Sequence, residues 1–291
     1  MRAPPCAAQI LSPSPLLLMS SPRPSRTVAR GLIALVAGVA LVTACDTTGS
    51  FSPSQQRWGF IYLNALRTNA GEERIAPNAQ FFRGSVTSVP DARIRTDSCF
   101  YVGDYTAPSG SSITGVTYLD AGANITTTIG ATATPVPRMS TGGAPTYGLP
   151  TGTTVPYLPG DSAIVTIPGA DGGFPASEIR GRTAERFTIS AIDPSTQTIP
   201  LTWSAATDNN SALLVSLQYT PSGTSARTQE IRCAFTDDGV DSIPVRQHQA
   251  WSATTNVNRN VTVTRLRTSS VLVDGGAMEL ISTYPVPTPT P

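Results

Sequence analysis

The sequence predicts an all-β fold. The expected form is an antiparallel β-sandwich, built as one large domain or as two packed sandwich-like halves, with long Gly/Pro/Thr-rich loops. Three observations carry that expectation. Charged residues make up 13% of the 291-residue chain, against about 25% in an ordinary globular protein. Ser, Thr, Gly and Pro fill the difference, a mixture that suits short strands joined by turns. Apolar residues still reach 40% and fall in short clusters, so the chain has material for a core and lacks the composition of a disordered one. No stretch keeps a 3.6-residue apolar period for three turns, which leaves little room for helices.

The elements follow in order. Residues 57–63 (RWGFIYL) begin the first strand. Further strands are expected at 79–86, 99–103, 116–119, 124–129, 163–167 and 186–191, then at 199–204, 213–219, 230–236, 260–267 and 277–283, with Gly, Pro, Asn or Asp in nearly every gap. In NVTVTRLRT the apolar side of the strand changes at Arg265, the mark of a bulge or a strand end. Short helical turns are expected at 69–75, with Asn69 as cap and Glu72 and Glu73 in the first turn, and at 178–185. Residues 131–161 carry Pro135, Pro137, Pro145, Pro150, Pro156 and Pro159 among Thr and Gly and read as a long loop. A subdivision of the 57–284 domain is expected near 170–184, and 285–291 (PVPTPTP) reads as an extended polyproline tail.

Ahead of the domain, the run from Gly31 to Ala44 is fourteen residues long. A membrane-spanning helix needs about 20. Arg23, Arg26 and Arg30 precede the run and no acid occurs before Asp46, which is the charged-then-apolar order of a secretory signal. The run closes on Val42-Thr43-Ala44-Cys45. This stretch resembles the lipobox of bacterial lipoproteins: apolar, small, small, cysteine. The resemblance implies a diacylglyceryl group on the Cys45 sulfur, cleavage after Ala44, and N-acylation of Cys45. Burial of acyl chains is worth about 0.8 kcal/mol per CH₂, so two or more chains anchor stably without a spanning helix. Residues 1–44 are then signal peptide, with Met19 as a plausible true start, and 45–56 a lipidated tether. In enterobacterial lipoproteins an aspartate after the cysteine favours the inner membrane, so Asp46 points to its outer face, with the outer membrane as the alternative. The same resemblance implies a palmitoylated protein held at a membrane of the cell envelope.

Removal of residues 1–44 leaves 247, enough for a real core. The formal net charge is +1, which argues against a nucleic-acid partner. All twenty basic residues are arginine, but they are scattered rather than gathered in a patch. Cys99 and Cys233 remain once Cys45 is lipidated. In an exported chain they are a candidate disulfide; the other reading is two buried thiols. Alternation in Ile231-Arg232-Cys233-Ala234-Phe235 places Cys233 on the inward face.

No residue set makes a convincing catalytic site. Gly160-Asp161-Ser162 resembles the nucleophile block of GDSL-type hydrolases, but Val245 stands where that family has aspartate, three before His248. A serine needs an adjacent base, and His248, the single histidine, sits in a polar stretch that reads as a solvated loop. One histidine and no cysteine pair at metal-ligand spacing exclude a conventional zinc site. Asp237, Asp238 and Asp241 form the best acidic cluster. They are the candidate calcium ligands if the chain holds a metal at all, although the spacing lacks the bidentate glutamate of a calcium loop. No other cofactor is expected. Trp58, Tyr105, Tyr147, Tyr157 and Trp251 are candidates for an exposed sugar or peptide platform. The C-terminal half resembles immunoglobulin-like and fibronectin-like sandwiches in strand rhythm alone.

The resulting expectation is a cell-envelope lipoprotein, a non-catalytic binding or scaffolding β-sandwich on the membrane surface. Its partners would be the membrane, through the lipid, and another envelope protein or a glycan. The alternatives are a lipid-anchored glycoside or ester hydrolase and a calcium-stabilised adhesion module.

Overall fold

The structure is a computed structural model that describes residues 56–68, 70–84, 97–105, 116–141, 143–190, 192, 198–207, 209–222 and 228–287. The leader, Cys45 and the tether up to residue 55 lie outside the described residues.

Among the described residues, seventeen strands and one helix follow one another. They are β1 (Arg57–Arg67), β2 (Glu73–Ile75), β3 (Asn78–Arg83), β4 (Ser98–Tyr105), β5 (Thr117–Tyr118), β6 (Asn124–Ile129), β7 (Thr132–Thr141), β8 (Ala144–Gly148) and β9 (Val155–Pro156). Then come β10 (Ser162–Ile167), β11 (Ser177–Arg182), β12 (Ile199–Thr202), β13 (Ser211–Pro221), β14 (Thr228–Thr236), β15 (Val240–Ile243), α1 (Val245–Ser252), β16 (Asn256–Val273) and β17 (Gly276–Pro287). The fold is all-β and sandwich-like, with one large mixed sheet and a second sheet of β12 and β15.

The large sheet runs β11-β10-β6-β7-β8-β3-β1-β17-β16-β13-β14-β4. It closes into layers because β11, at one end of this path, packs on β16 and β17. Gly181 of β11 marks the close approach: a Cβ there would stand 2.5 Å from Ser269 Oγ and 3.0 Å from Leu280 Cδ2. Inward residues of both layers share one core, with Val165, Ile167 and Ile179 on one side and Leu63, Val215, Val263 and Leu280 on the other. That core holds residues from both sides of 170–184. The opposite face of the central strands carries a second, smaller cluster of Phe60, Phe82, Leu266 and Ile281.

One pair departs from the antiparallel expectation. β1 and β17 run parallel from Arg57↔Gly276 to Asn64↔Thr283. Parallel neighbours need a long connection, and here the rest of the domain is that connection, since β1 is the first strand and β17 the last.

Several expectations are corrected by pairing. Residues 131–161 hold β7, β8 and β9 rather than a long loop. Their prolines sit where a strand is paired on one side only. Pro135 and Pro137 face β6, while β8 joins β7 only from Arg138 onward. Proline lacks an N–H, so such edge stretches are where a sheet accepts it.

The helical turn expected at 178–185 is instead strand β11, with Ile179 buried while Glu178, Arg180 and Arg182 are exposed. Of the turn at 69–75, Asn69 lies outside the described residues. Thr68 and Gly71 close a backbone turn, Gly71 at φ 81°, and Glu73–Ile75 is β2. The strand expected at 186–191 reduces to a single bridge, Ile189↔Trp203. No bulge occurs at Arg265; β16 pairs regularly with both neighbours there, and its irregularity lies opposite Gln218 and Thr220.

Candidate functional site

A cleft forms where the parallel pair comes apart. β1 follows β17 as far as Asn64↔Thr283; its last residues, Ala65 to Arg67, turn instead to β2. β17 continues alongside β16, with Tyr284 opposite Arg265 and Val286 opposite Val263. The fork leaves a cleft of about 520 Å³, roofed by the segment from Arg186 to Ile189. This volume lies in the range of small-ligand sites, about 300–1,000 Å³.

Glu73, at the start of β2, is the centre of the cleft. Arg186 donates Nε to Glu73 Oε1 at 2.9 Å and Nη2 to Oε2 at 2.7 Å, a two-pronged pairing. The Tyr284 hydroxyl donates to Oε1 as well. These donors, Arg186 foremost, hold the Glu73 carboxyl below its ordinary value of 4.5 against the opposing effect of burial. Tyr284 is shifted upward, chiefly by burial and then by its bond to Glu73. Arg67 adds positive charge beside the pair.

The roof is pinned from below. Ala184 N donates to Ser282 Oγ at 2.9 Å, and the Tyr157 hydroxyl donates to Ala184 O at 3.0 Å. Ser282 Oγ in turn donates to Leu63 O, tying roof, β17 and β1 together. Burial drives the Tyr157 phenol far above its ordinary value. Arg265 supports the same segment: its guanidinium donates to Arg186 O at 3.3 Å and lies 4.8 Å from the Phe187 ring centroid.

Arg265 explains the change of apolar side in its strand. It is fully buried and faces Asp237, with Nε to Oδ2 at 2.6 Å and Nη2 to Oδ1 at 2.8 Å. Trp203 Nε1 donates to the same carboxylate at 2.7 Å. The neighbouring Leu266 belongs to the other apolar cluster, so both faces of β16 are apolar at this point.

The structure scatters the sequence-derived candidates. Asp237 is taken by Arg265 and Trp203. Asp238 is exposed and accepts from Val240 N, and Asp241 accepts from Ser242 N. Among the described residues no group of three or more His, Cys, Asp or Glu side chains is placed to hold a metal. Ser162 opens β10, and its nearest polar partner is Asp161 Oδ1.

His248 is not in a solvated loop; it is buried on α1 with Trp251, three residues on and on the same helical face. The exposed aromatic platform does not form either. Tyr147, Tyr157 and Trp251 are core residues and Trp58 is half-buried; the Tyr105 side chain lies outside the described set. Cys99 and Cys233 are direct cross-strand neighbours on β4 and β14, with sulfurs 1.97 Å apart, a disulfide distance.

No protein-family model matches the chain, and no curated protein is similar to it in sequence.

A second depression, of about 330 Å³, lies on the outward face of β1, β17, β16, β13 and β14. Its buried Glu230 accepts from Ser216 Oγ at 2.6 Å and from Arg232 Nη2 at 3.0 Å. One carboxylate there meets one guanidinium, so this surface is balanced in charge. The fork cleft is not balanced, because Arg67 and Arg186 face a single carboxylate. Glu73 and its partner Arg186 stand 113 residues apart. No local signal joins them.

Proposed function

We propose that this chain is a cell-envelope lipoprotein whose β-domain serves as a non-catalytic binding or scaffolding module. One observation carries the reading: an arginine-led apolar run of fourteen residues that ends on Val42-Thr43-Ala44-Cys45. On this reading Cys45 bears the lipid, Asp46 to Gln56 form the tether, and the Cys99–Cys233 pair is a disulfide formed outside the reducing cytosol. The membrane is reached through the lipid, and the partner is an envelope protein or a glycan.

The cleft supports binding over catalysis. Glu73 is the one carboxylate among its described lining residues, and it is committed to Arg186 and Tyr284. Paired-carboxylate hydrolysis needs a second acid facing the first. A general acid also needs a raised carboxyl pKa, whereas Glu73 is shifted the other way. Its position supports binding too. β1 begins at Arg57, where the tether ends, and reaches the cleft at Ala65, about 26 Å along an extended strand. The cleft thus lies at the end of β1 away from the tether.

The test is the mature N-terminus of the protein expressed in a bacterial envelope. The expected product begins at Cys45 and carries acyl mass, and Cys45→Ser abolishes both cleavage and membrane retention. Retention of residues 1–44, or an unmodified thiol at Cys45, overturns the proposal.

A further inference from the structure

The fork cleft carries a charge that the fold leaves unanswered. Arg186 has five N–H donors and gives two of them to Glu73, while its side chain stays 66% exposed. Arg67 forms no hydrogen bond or ion pair with any described residue, and it is exposed at the rim. Two guanidiniums against one carboxylate leave one net positive charge, so the complement is a single negative charge. Apart from Thr188 and the Tyr284 hydroxyl, the rest of the lining is apolar. Leu66 is 47% exposed beside Arg67, and Ile189 and Val286 are half-buried across from it. Exposed leucine beside free guanidinium donors suits a ligand with an apolar body and an anionic end. A doubly charged phosphate would leave one charge unmatched and would gain nothing from the apolar wall.

A strand laid into the fork is disfavoured. Pro285 and Pro287 alternate along the cleft stretch of β17, and neither has an N–H to donate. Recognition therefore falls to the side chains.

We propose that the cleft binds an organic monocarboxylate, its anionic end held by Arg67 and the free donors of Arg186 and its apolar body laid on Leu66, Ile189 and Val286. The proposal deepens the binding-module reading and rests on it. The carboxylate has two natural sources, the free C-terminus of a short peptide and an aliphatic acid. Glu73 acts as an internal competitor, since it occupies the part of Arg186 that an incoming carboxylate would use.

The test is calorimetric titration of the full-length protein with N-acetyl-alanyl-alanine, its C-terminal amide and hexanoate. At least one of the two acids binds, and the amide binds at least tenfold more weakly than its parent acid, the loss expected for a charge-assisted hydrogen bond. Tighter binding of the dipeptide identifies a peptide end as the source; tighter binding of hexanoate identifies an aliphatic acid. Arg67→Gln weakens binding about tenfold and moves the melting temperature little, because the Arg67 side chain is exposed and makes no hydrogen bond or ion pair with a described residue. Glu73→Gln raises the cleft from one net positive charge to two and tightens binding.

Acid and amide binding equally well, neither acid binding, or Arg67→Gln leaving affinity unchanged would each overturn the proposal. Lipidation is read by mass on the same preparation. A lipidated protein that ignores carboxylates defeats this proposal and leaves the lipoprotein reading standing.

Discussion

Asp237 and Arg265 are each about 1% exposed as side chains and are joined by two hydrogen bonds. Removing one partner leaves the other charge stranded in a dry core, at about 3–5 kcal/mol, whereas replacing both with apolar groups is far milder. Asp237→Asn is therefore expected to lower unfolding free energy by about 3 kcal/mol or more, and Asp237→Leu with Arg265→Met by clearly less. Urea denaturation of the purified chain measures both. Equal losses in the single and double variants would show that packing, not charge, governs this site.

Glu73 makes a pH-dependent contribution. Its folded carboxyl titrates below the ordinary value of 4.5. Its stabilisation is thus complete above that value and is lost as pH falls through the lower folded one. The pair is partly solvated, with Arg186 66% exposed, so its worth is about 1 kcal/mol at most. Melting curves of wild type and Glu73→Gln should differ near pH 7 and converge as pH falls through the lowered folded value of Glu73. A constant offset across that range would exclude the carboxylate as its source.

At this scale the sequence was partly legible. Alternation around Cys233 placed it inward, where it meets Cys99. Alternation also broke at Arg265, but a bulge and a buried ion pair leave the same trace in one strand. The partner that decides between them, Asp237, lies 28 residues away and read instead as part of an acidic turn.

Among elements, β6 was legible to the residue, because NITTTI alternates cleanly between core and surface. β7 was not, because its prolines mark loops unless the missing neighbour is known. β11 read as helical because its charges cluster. They cluster because the strand is an edge, and edge strands carry outward charge.

That edge also closes the sandwich. Gly181 leaves room for Ser269 and Leu280, and a Cβ would stand within 3.1 Å of both. Gly181→Val is expected to destabilise by about 1–3 kcal/mol through overpacking and to loosen β10 and β11 first. Amide hydrogen exchange measures this as selective loss of protection in those two strands. Unchanged protection there would show that β11 does not depend on this close approach.

For the whole molecule, the parallel pairing of the first and last strands sets the layout. It joins β1 to β17, and it forks only at the end away from Arg57. No window of sequence could show the cleft, since its walls come from residues 65–73, 186–189 and 284–286. The Cys99–Cys233 pair spans 134 residues, long enough for a covalent link to remove much unfolded-chain entropy, about 4–5 kcal/mol in the chain-entropy account. Such a link suits a domain working outside the reducing cytosol.

The address of this domain decides what it can bind. The most direct measurement is the intact mass of the mature protein recovered from its membrane. A chain starting at residue 45 with acyl groups attached is the predicted result. A chain that keeps its first 44 residues, or that starts at residue 45 with a bare thiol, would contradict it.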